Sequence, residues 1–217
     1  AAGQILPSHG WLRFGDVFCE LAVVDESALG QSRRRQETQR AASATHERRI
    51  EQTQATPELL QGTLAAVVDL AGCERGFLLL QGPRGVVVRA WQGLDAETLT
   101  APAFSGSRGA VDRALREQRP IVVNDLGKDP WLAGRDSVVA GGLRCLVCLP
   151  LQCGGQVHGL VYADSRSPGP AITTFDLELL EAFAERATLW LVARSGEQAI
   201  ADVEREVRWP GAAGAAA

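Results

Sequence analysis

The stretch that decides the fold reads D-R-A-L-R-E-Q-R-P-I-V-V-N-D over residues 112–125, D-P-W-L-A-G-R-D-S-V-V-A-G-G-L-R-C-L-V-C-L-P-L over residues 129–151 and G-G-Q-V-H-G-L-V-Y-A-D-S over residues 154–165. A helix capped by Ser107 is expected to run through Gln118, where Pro120 stops it, because the residue before a proline disfavours helical geometry. A brief strand follows at Ile121–Val123, then an acidic loop. Asp136 or Ser137 opens a short helix that Gly141 and Gly142 end. The apolar runs Leu143–Leu151 and Val157–Ala163 flank Gly154-Gly155 and read as a central antiparallel hairpin. This succession builds a pocketed sheet and holds no obvious catalytic constellation, which points to a sensor or docking module and away from an enzyme.

Upstream of that stretch, Thr56-Pro57-Glu58 supplies a helix cap, a proline at the first helical position and an early acid. Leu60, Leu64, Val67 and Ala71 then keep helical spacing until Gly72. Gly76–Leu80 and Val86–Trp91 read as paired strands across Gly82-Pro83-Arg84-Gly85. Downstream, Thr173 and Asp176 have the spacing of a capping box, and Leu177, Leu180, Phe183, Ala184, Ala187 and Leu191 share one face of a closing helix. The expectation is an α+β fold with an antiparallel sheet of five to six strands. The terminal helices should pack on one sheet face, and loops and short helices should cover a pocket on the other.

The flanks differ in character. Residues 10–24 alternate as a hairpin about a turn at Gly15-Asp16. Residues 27–55 are polar and charged, with apolar anchors nearly absent until Ile50, and read as a solvated linker with nascent helical character. Arg33-Arg34-Arg35 is diluted by Glu37, Glu47 and Glu51, so it reads as part of that solvated face rather than a nucleic-acid patch. Residues 195–217 read as a disordered tail. The chain starts on Ala1 and contains no Met, which reads as a piece of a longer protein.

Across 217 residues, 46% are hydrophobic and 22% charged, enough for a packed core. A net charge of −4 argues against direct nucleic-acid binding, which needs concentrated positive charge. No apolar run is long enough for a membrane span, and no secretory leader is visible. Cys19, Cys73, Cys145, Cys148 and Cys153 form an odd set, which favours reduced cytoplasmic thiols over a disulfide framework.

The candidate ligand-binding residues are Trp91, Ser107, Asp125, Trp131, Cys145, Tyr162 and Asp164. Trp91 and Trp131 offer flat aromatic faces, with core filling as the competing role. Ser107 stands in a Gly-Ser-rich helix start that suits an anion. Asp125 and Asp164 can hydrogen-bond a ligand or serve in turns. Trp131 should pack down on Leu143–Val147 with Trp91 beside it, and Cys145 belongs to that floor. A lone Cys-x2-Cys at 145–148 lacks the second pair that zinc wants, so no metal is assigned. His158 has no partner set for nucleophilic chemistry. Cys153, beside the Gly-Gly turn, is a candidate redox thiol. No cofactor is assigned.

Residues 56–194 resemble a GAF domain. The likeness is carried by Glu74-Arg75-Gly76-Phe77-Leu78-Leu79-Leu80, Arg119-Pro120-Ile121-Val122-Val123-Asn124-Asp125, Leu149-Pro150-Leu151 and Gly159-Leu160-Val161-Tyr162-Ala163-Asp164-Ser165. Through Leu12-Arg13-Phe14-Gly15-Asp16, residues 1–26 resemble the last hairpin of a FHA domain whose phosphothreonine-reading loops would lie upstream. Together these imply a cytoplasmic, non-catalytic sensory module of a signalling or transcription-regulatory protein. It would bind an unidentified small molecule and signal through its terminal helices. The continuous apolar stripes of those helices, with Leu189 and Trp190 left over after packing the sheet, predict a homodimer through them. Cyclic-nucleotide-binding members carry an Asn-Lys pair; here Asn124 precedes Asp125. Bilin-binding members carry Cys-His, and no cysteine here precedes His. Methionine-sulfoxide-reducing members place cysteines in the covering loops, and residues 92–142 hold none.

Overall fold

The computed structural model describes residues 9–14, 17–22, 26–53, 55–82, 85–95, 97, 99, 107–126, 142–167 and 169–206. The chain divides into two compact units, residues 1–38 and 39–217. In the first, β1 (His9–Phe14) and β2 (Val17–Ala22) pair antiparallel from His9 opposite Ala22 to Phe14 opposite Val17, as their alternation predicts. The turn expected at Gly15-Asp16 lies outside the described residues.

The expected solvated linker is a helix. α1 spans Glu26–Glu51 and crosses from the first unit into the second. Within the second unit it carries a narrow buried stripe of small and polar residues. Ser43 is buried and donates to Glu47 Oε1 at 3.3 Å, and Ile50 is buried in the core beside partly buried Ala42. Gln39 Nε2 donates to the Leu70 carbonyl (3.4 Å), and His46 Nε2 lies 2.9 Å from Asp69 Oδ2. Small side chains let the backbone approach closely, so contact is made without the bulky apolar stripe that marks a packed helix.

α2 (Thr56–Leu70) follows. Its cap position is Ala55, with no side-chain cap, so Thr56 is the first helical residue and not the cap that its sequence suggested. Gly72, with φ +61°, turns the chain away. β3 (Arg75–Gly82), β4 (Gly85–Gln92), β5 (Ile121–Val123), β6 (Cys145–Cys153) and β7 (Gln156–Ser165) form one antiparallel sheet in the order β4-β3-β7-β6-β5. α3 (Arg108–Glu117) lies between β4 and β5 in sequence. α4 runs from Thr174 to Glu206, so helix extends through the first part of the expected tail; residues 207–217 lie outside the described residues. Its start is the predicted capping box: Thr173 N–H donates to Asp176 Oδ2 (2.9 Å) and Asp176 N–H to Thr173 Oγ1 (3.2 Å).

Strand alternation sorts the core into two clusters. Leu78, Val147, Leu149, Leu151, Val161 and Ala163 face α2 and α4, where they meet Leu64, Val67, Leu180, Phe183 and Ala187. Phe77, Leu79, Leu146, Cys148, Leu160 and Tyr162 face the other way and meet Ala110, Val111 and Ala114 of α3. The two-sided arrangement is the one the sequence predicts. Gly76 makes the β3–β7 contact possible, because a Cβ there would collide with the Tyr162 carbonyl oxygen. The short helix expected at residues 136–142 begins outside the described residues.

Candidate functional site

Asp164 is fully buried near the end of β7. A carboxylate there is costly unless it is paired and hydrogen-bonded. Register supplies the partner: Arg75 opens β3 directly opposite Asp164. Arg75 Nε donates to Asp164 Oδ1 at 2.6 Å, and its Nη2 to Oδ2 at 3.3 Å. Two residues along β7, and therefore on the same sheet face, Tyr162 donates its hydroxyl to Asp164 Oδ2 at 2.6 Å. That hydroxyl in turn accepts from the Ser107 backbone N–H at 3.1 Å, while Ser107 Oγ accepts from Ala110 N–H at 3.2 Å and caps α3. One buried chain of polar contacts thus runs from the start of α3 through Tyr162 and Asp164 to Arg75, a few residues beyond the end of α2.

Electrostatics keep the Tyr162 hydroxyl of this chain protonated. Burial, then the Asp164 charge, pushes the Tyr162 hydroxyl well above its ordinary value, so it stays a donor. The Phe77 ring stacks on Tyr162 with centroids 4.8 Å apart and planes 16° from parallel. Among the described residues no buried side-chain nitrogen or oxygen lacks a hydrogen-bond partner.

Beside the stack lies an open apolar cavity of about 180 Å³, lined by Phe77, Leu79, Val88, Leu99 and Val111 with the charged Arg108 and Asp112. It lies on the sheet face opposite α2 and α4. A larger groove of about 450 Å³ runs between the end of α3, the β6–β7 turn and α4; its lining includes Arg119, Pro150, Cys153, Glu181 and Glu185. β5 begins opposite Cys148 and runs toward Leu146, so Pro150 stands where β6 has no neighbour on that side, which is where a proline costs the ladder least.

The structure therefore brings three of the sequence candidates together: Ser107, Tyr162 and Asp164. Trp91 shares the face of its strand partner Phe77, but it is 44% exposed on the edge strand β4 and stands outside the apolar cluster. Asp125 is exposed just past β5, beside Asn124, whose amide bridges both backbone groups of Ile172 at 3.0 and 2.7 Å. Trp131 lies outside the described residues. Cys145 is a correction: it has the parity of Val147, Leu149 and Leu151, so it points to the face of α2 and α4 and not to the pocket floor. The cysteine on the pocket face is Cys148, fully buried, with its thiol pushed up chiefly by burial. Arg75 and Phe77 were missed as site residues. The available signal was Arg75 itself, a charged residue at the head of an apolar strand. Cys153 and His158 are both half-buried. No group of three His, Cys, Asp or Glu side chains among the described residues could hold a metal ion. No helix among the described residues is long and apolar enough to cross a membrane.

The sequence profile of the GAF domain matches residues 56–191. None of the curated protein sequences matches the chain. Among solved structures, the chain is similar to the GAF domain of a phosphoenolpyruvate-protein phosphotransferase from Coxiella burnetii, with TM-score 0.59 and 10% identity, over 76% of this chain and 98% of that one. It is similar to free methionine-R-sulfoxide reductase from Neisseria meningitidis, with TM-score 0.58 and 19% identity, over 75% of this chain and 93% of that one. It is also similar to residues 122 to 287 of a methyl-accepting chemotaxis protein, with TM-score 0.54 and 20% identity, over 71% of this chain and 99% of that one. At these identities the likeness is one of fold.

Proposed function

This chain belongs to the GAF domain family, whose members are typically sensory and regulatory modules of signalling proteins, and from that premise we propose that it is a non-catalytic sensor that binds a small, largely apolar molecule against α3. The observation that carries this reading is the apolar cavity between β3, β4 and α3, next to the polar chain from Ser107 to Arg75. A molecule entering beside Phe77 and Val111 bears on α3. A shift of the α3 cap alters the Tyr162–Asp164–Arg75 contacts, and Arg75 follows closely on α2. Ligand binding then acts as a population shift carried to the terminal helices α2 and α4. The module works in the cytoplasm as part of a longer signalling or transcription-regulatory protein. It dimerises through α4, where Leu189 is 52% exposed, and residues 1–26 are the end of a FHA-like domain.

The experiment is native mass spectrometry of the protein purified from its own cells, beside a Val111→Phe variant whose larger side chain fills the cavity. A retained small-molecule mass in the parent that disappears in the variant supports the sensor. No retained mass, with the variant as stable as the parent, refutes it. One observation favours a second reading, a ligand-free dimerisation scaffold: about 180 Å³ is small beside the roughly 300–1,000 Å³ of ordinary ligand sites. A third role, a thiol sensor through half-buried Cys153, rests on its place in the groove beside Arg119.

A further inference from the structure

The apolar cavity beside Phe77 has a defined size and a charged rim. Its floor is the sheet: Leu79 and Val88 are strand partners, and Phe77 stands two residues along β3 on the same face. Its roof is α3. Val111 and Asp112 follow Arg108 by three and four residues, so all three lie on one side of the helix, with Val111 buried between floor and roof and the two charges at the rim. Val88 and Leu99 are only partly buried, so the cavity holds apolar surface that a bound molecule would withdraw from water.

Volume sets the size of the occupant. An apolar hole of roughly 150 Å³ admits one benzene, and this cavity measures about 180 Å³. A single six-membered ring with a short substituent fills it.

Charge sets the substituent. The nearby buried polar groups are consumed: Asp164 is held by Arg75 and Tyr162, Tyr162 by Asp164 and the Ser107 N–H, and Ser107 Oγ by the Ala110 N–H. At the rim, Arg108 is engaged in a contact of its own. The next basic residues of α3, Arg113 and Arg116, are turned to Glu117, at 2.9 and 3.8 Å. Asp112 is exposed and makes no ion pair or side-chain hydrogen bond among the described residues. Its carboxylate is therefore the rim charge open to a ligand.

We propose that the cavity takes a primary amine carrying a single apolar ring, the ring between Phe77, Val88 and Val111 and the ammonium on Asp112. The inference rests on the reading of this cavity as the ligand site and adds the chemical class of what enters it. An ammonium brings three donors to a carboxylate that has none, and the charged contact is stronger than a neutral one. A carboxylate on the same ring would face Asp112 and be repelled, and a neutral ring gains the apolar contact alone. Asp112 stands on the helix that Ser107 caps, so the amine is tied to the element through which the site reaches Tyr162.

The test is isothermal titration calorimetry of the whole chain with benzylamine, phenylacetate and benzyl alcohol, which share the ring and differ in charge. Benzylamine should bind about tenfold more tightly than benzyl alcohol, the order expected of one charge-assisted hydrogen bond, and phenylacetate should bind most weakly. In Asp112→Asn, a change at an exposed position, the preference for benzylamine should vanish while the affinity for benzyl alcohol stays. In the parent protein, nuclear Overhauser contacts from the benzylamine ring to the methyl groups of Leu79 and Val111 should locate the ring without any substitution. If benzyl alcohol or phenylacetate binds as tightly as benzylamine, or if Asp112→Asn keeps the preference, the amine assignment is overturned while the cavity stands as a ligand site. If none of the three binds, the assignment is overturned as well, and the retained mass sought by native mass spectrometry decides the cavity separately.

Discussion

Tyr162 is the chain's single tyrosine, so its ionisation can be watched alone. In the unfolded chain its hydroxyl titrates around the ordinary value of 10.0. In the folded protein, burial first and the neighbouring Asp164 charge second push that value well above the ordinary one. The folded state therefore favours the protonated phenol. The stability this contributes is fully present below about pH 10 and is lost as pH rises past it, at about 1.4 kcal/mol per pH unit until the folded hydroxyl itself ionises. Tyrosinate absorbance and helical circular dichroism should stay flat together and then change together when the protein unfolds. Removing the hydroxyl in Tyr162→Phe deletes a 2.6 Å hydrogen bond to a buried carboxylate and leaves the Ser107 N–H without that acceptor. A hydrogen bond to a charged group contributes roughly 1.5–3 kcal/mol, and an orphaned donor costs about 1 kcal/mol more, so the loss should be about 2–4 kcal/mol in urea unfolding. At roughly 2–4 °C per kcal/mol for a chain of this size, Tm should fall by about 4–16 °C. The variant should also lose the tyrosine part of the alkaline slope, leaving that of buried Cys148, whose raised thiol works in the same direction. Tyrosinate forming near pH 10, as estimated for a free phenol, while the circular dichroism stays native would refute the buried network, as would a Tyr162→Phe protein as stable as its parent.

Other substitutions probe the remaining contacts. Ser107→Ala removes the cap of α3 and should cost about 1 kcal/mol by urea midpoint, with Ser107→Gly costing only a few tenths. At Gly93, φ is +64° and an added Cβ would stand 2.7 Å from Arg75 Cβ, so Gly93→Val should lower stability by at least about 1–3 kcal/mol; an unchanged Tm would show that this turn is not held. Leu189→Ser should leave monomer stability within about 0.5 kcal/mol, because the side chain is half exposed, yet shift sedimentation from dimer to monomer. A dimer that survives this change does not use this part of α4.

The regular elements with strong local signals were legible in the sequence. The apolar stripe of Leu180, Phe183, Ala184, Ala187 and Leu191 is buried as its spacing requires, the Thr173–Asp176 box caps α4, and the runs at residues 143–151 and 157–163 pair across Gly154-Gly155. The period of apolar side chains states which face each element buries, and capping is a contact between near neighbours in sequence. α1 was not legible, because its buried stripe is Ser43, Ala42 and a single isoleucine, and what holds it is contact with residues far along the chain such as Leu70 and Asp69. The same limit explains the site. Asp164 and Tyr162 were legible as candidates because they stand near the end of an apolar strand, but their partners Arg75, Phe77 and Ser107 lie tens of residues away in sequence. Only the antiparallel register of β3 on β7 sets Arg75 opposite Asp164, and only the pleat sends Cys145 and Cys148 to opposite faces of β6. Sequence determines periodicity and local caps through neighbours a few residues apart. Which charge meets which is decided when the sheet closes, because register then places residues from distant segments within hydrogen-bonding reach.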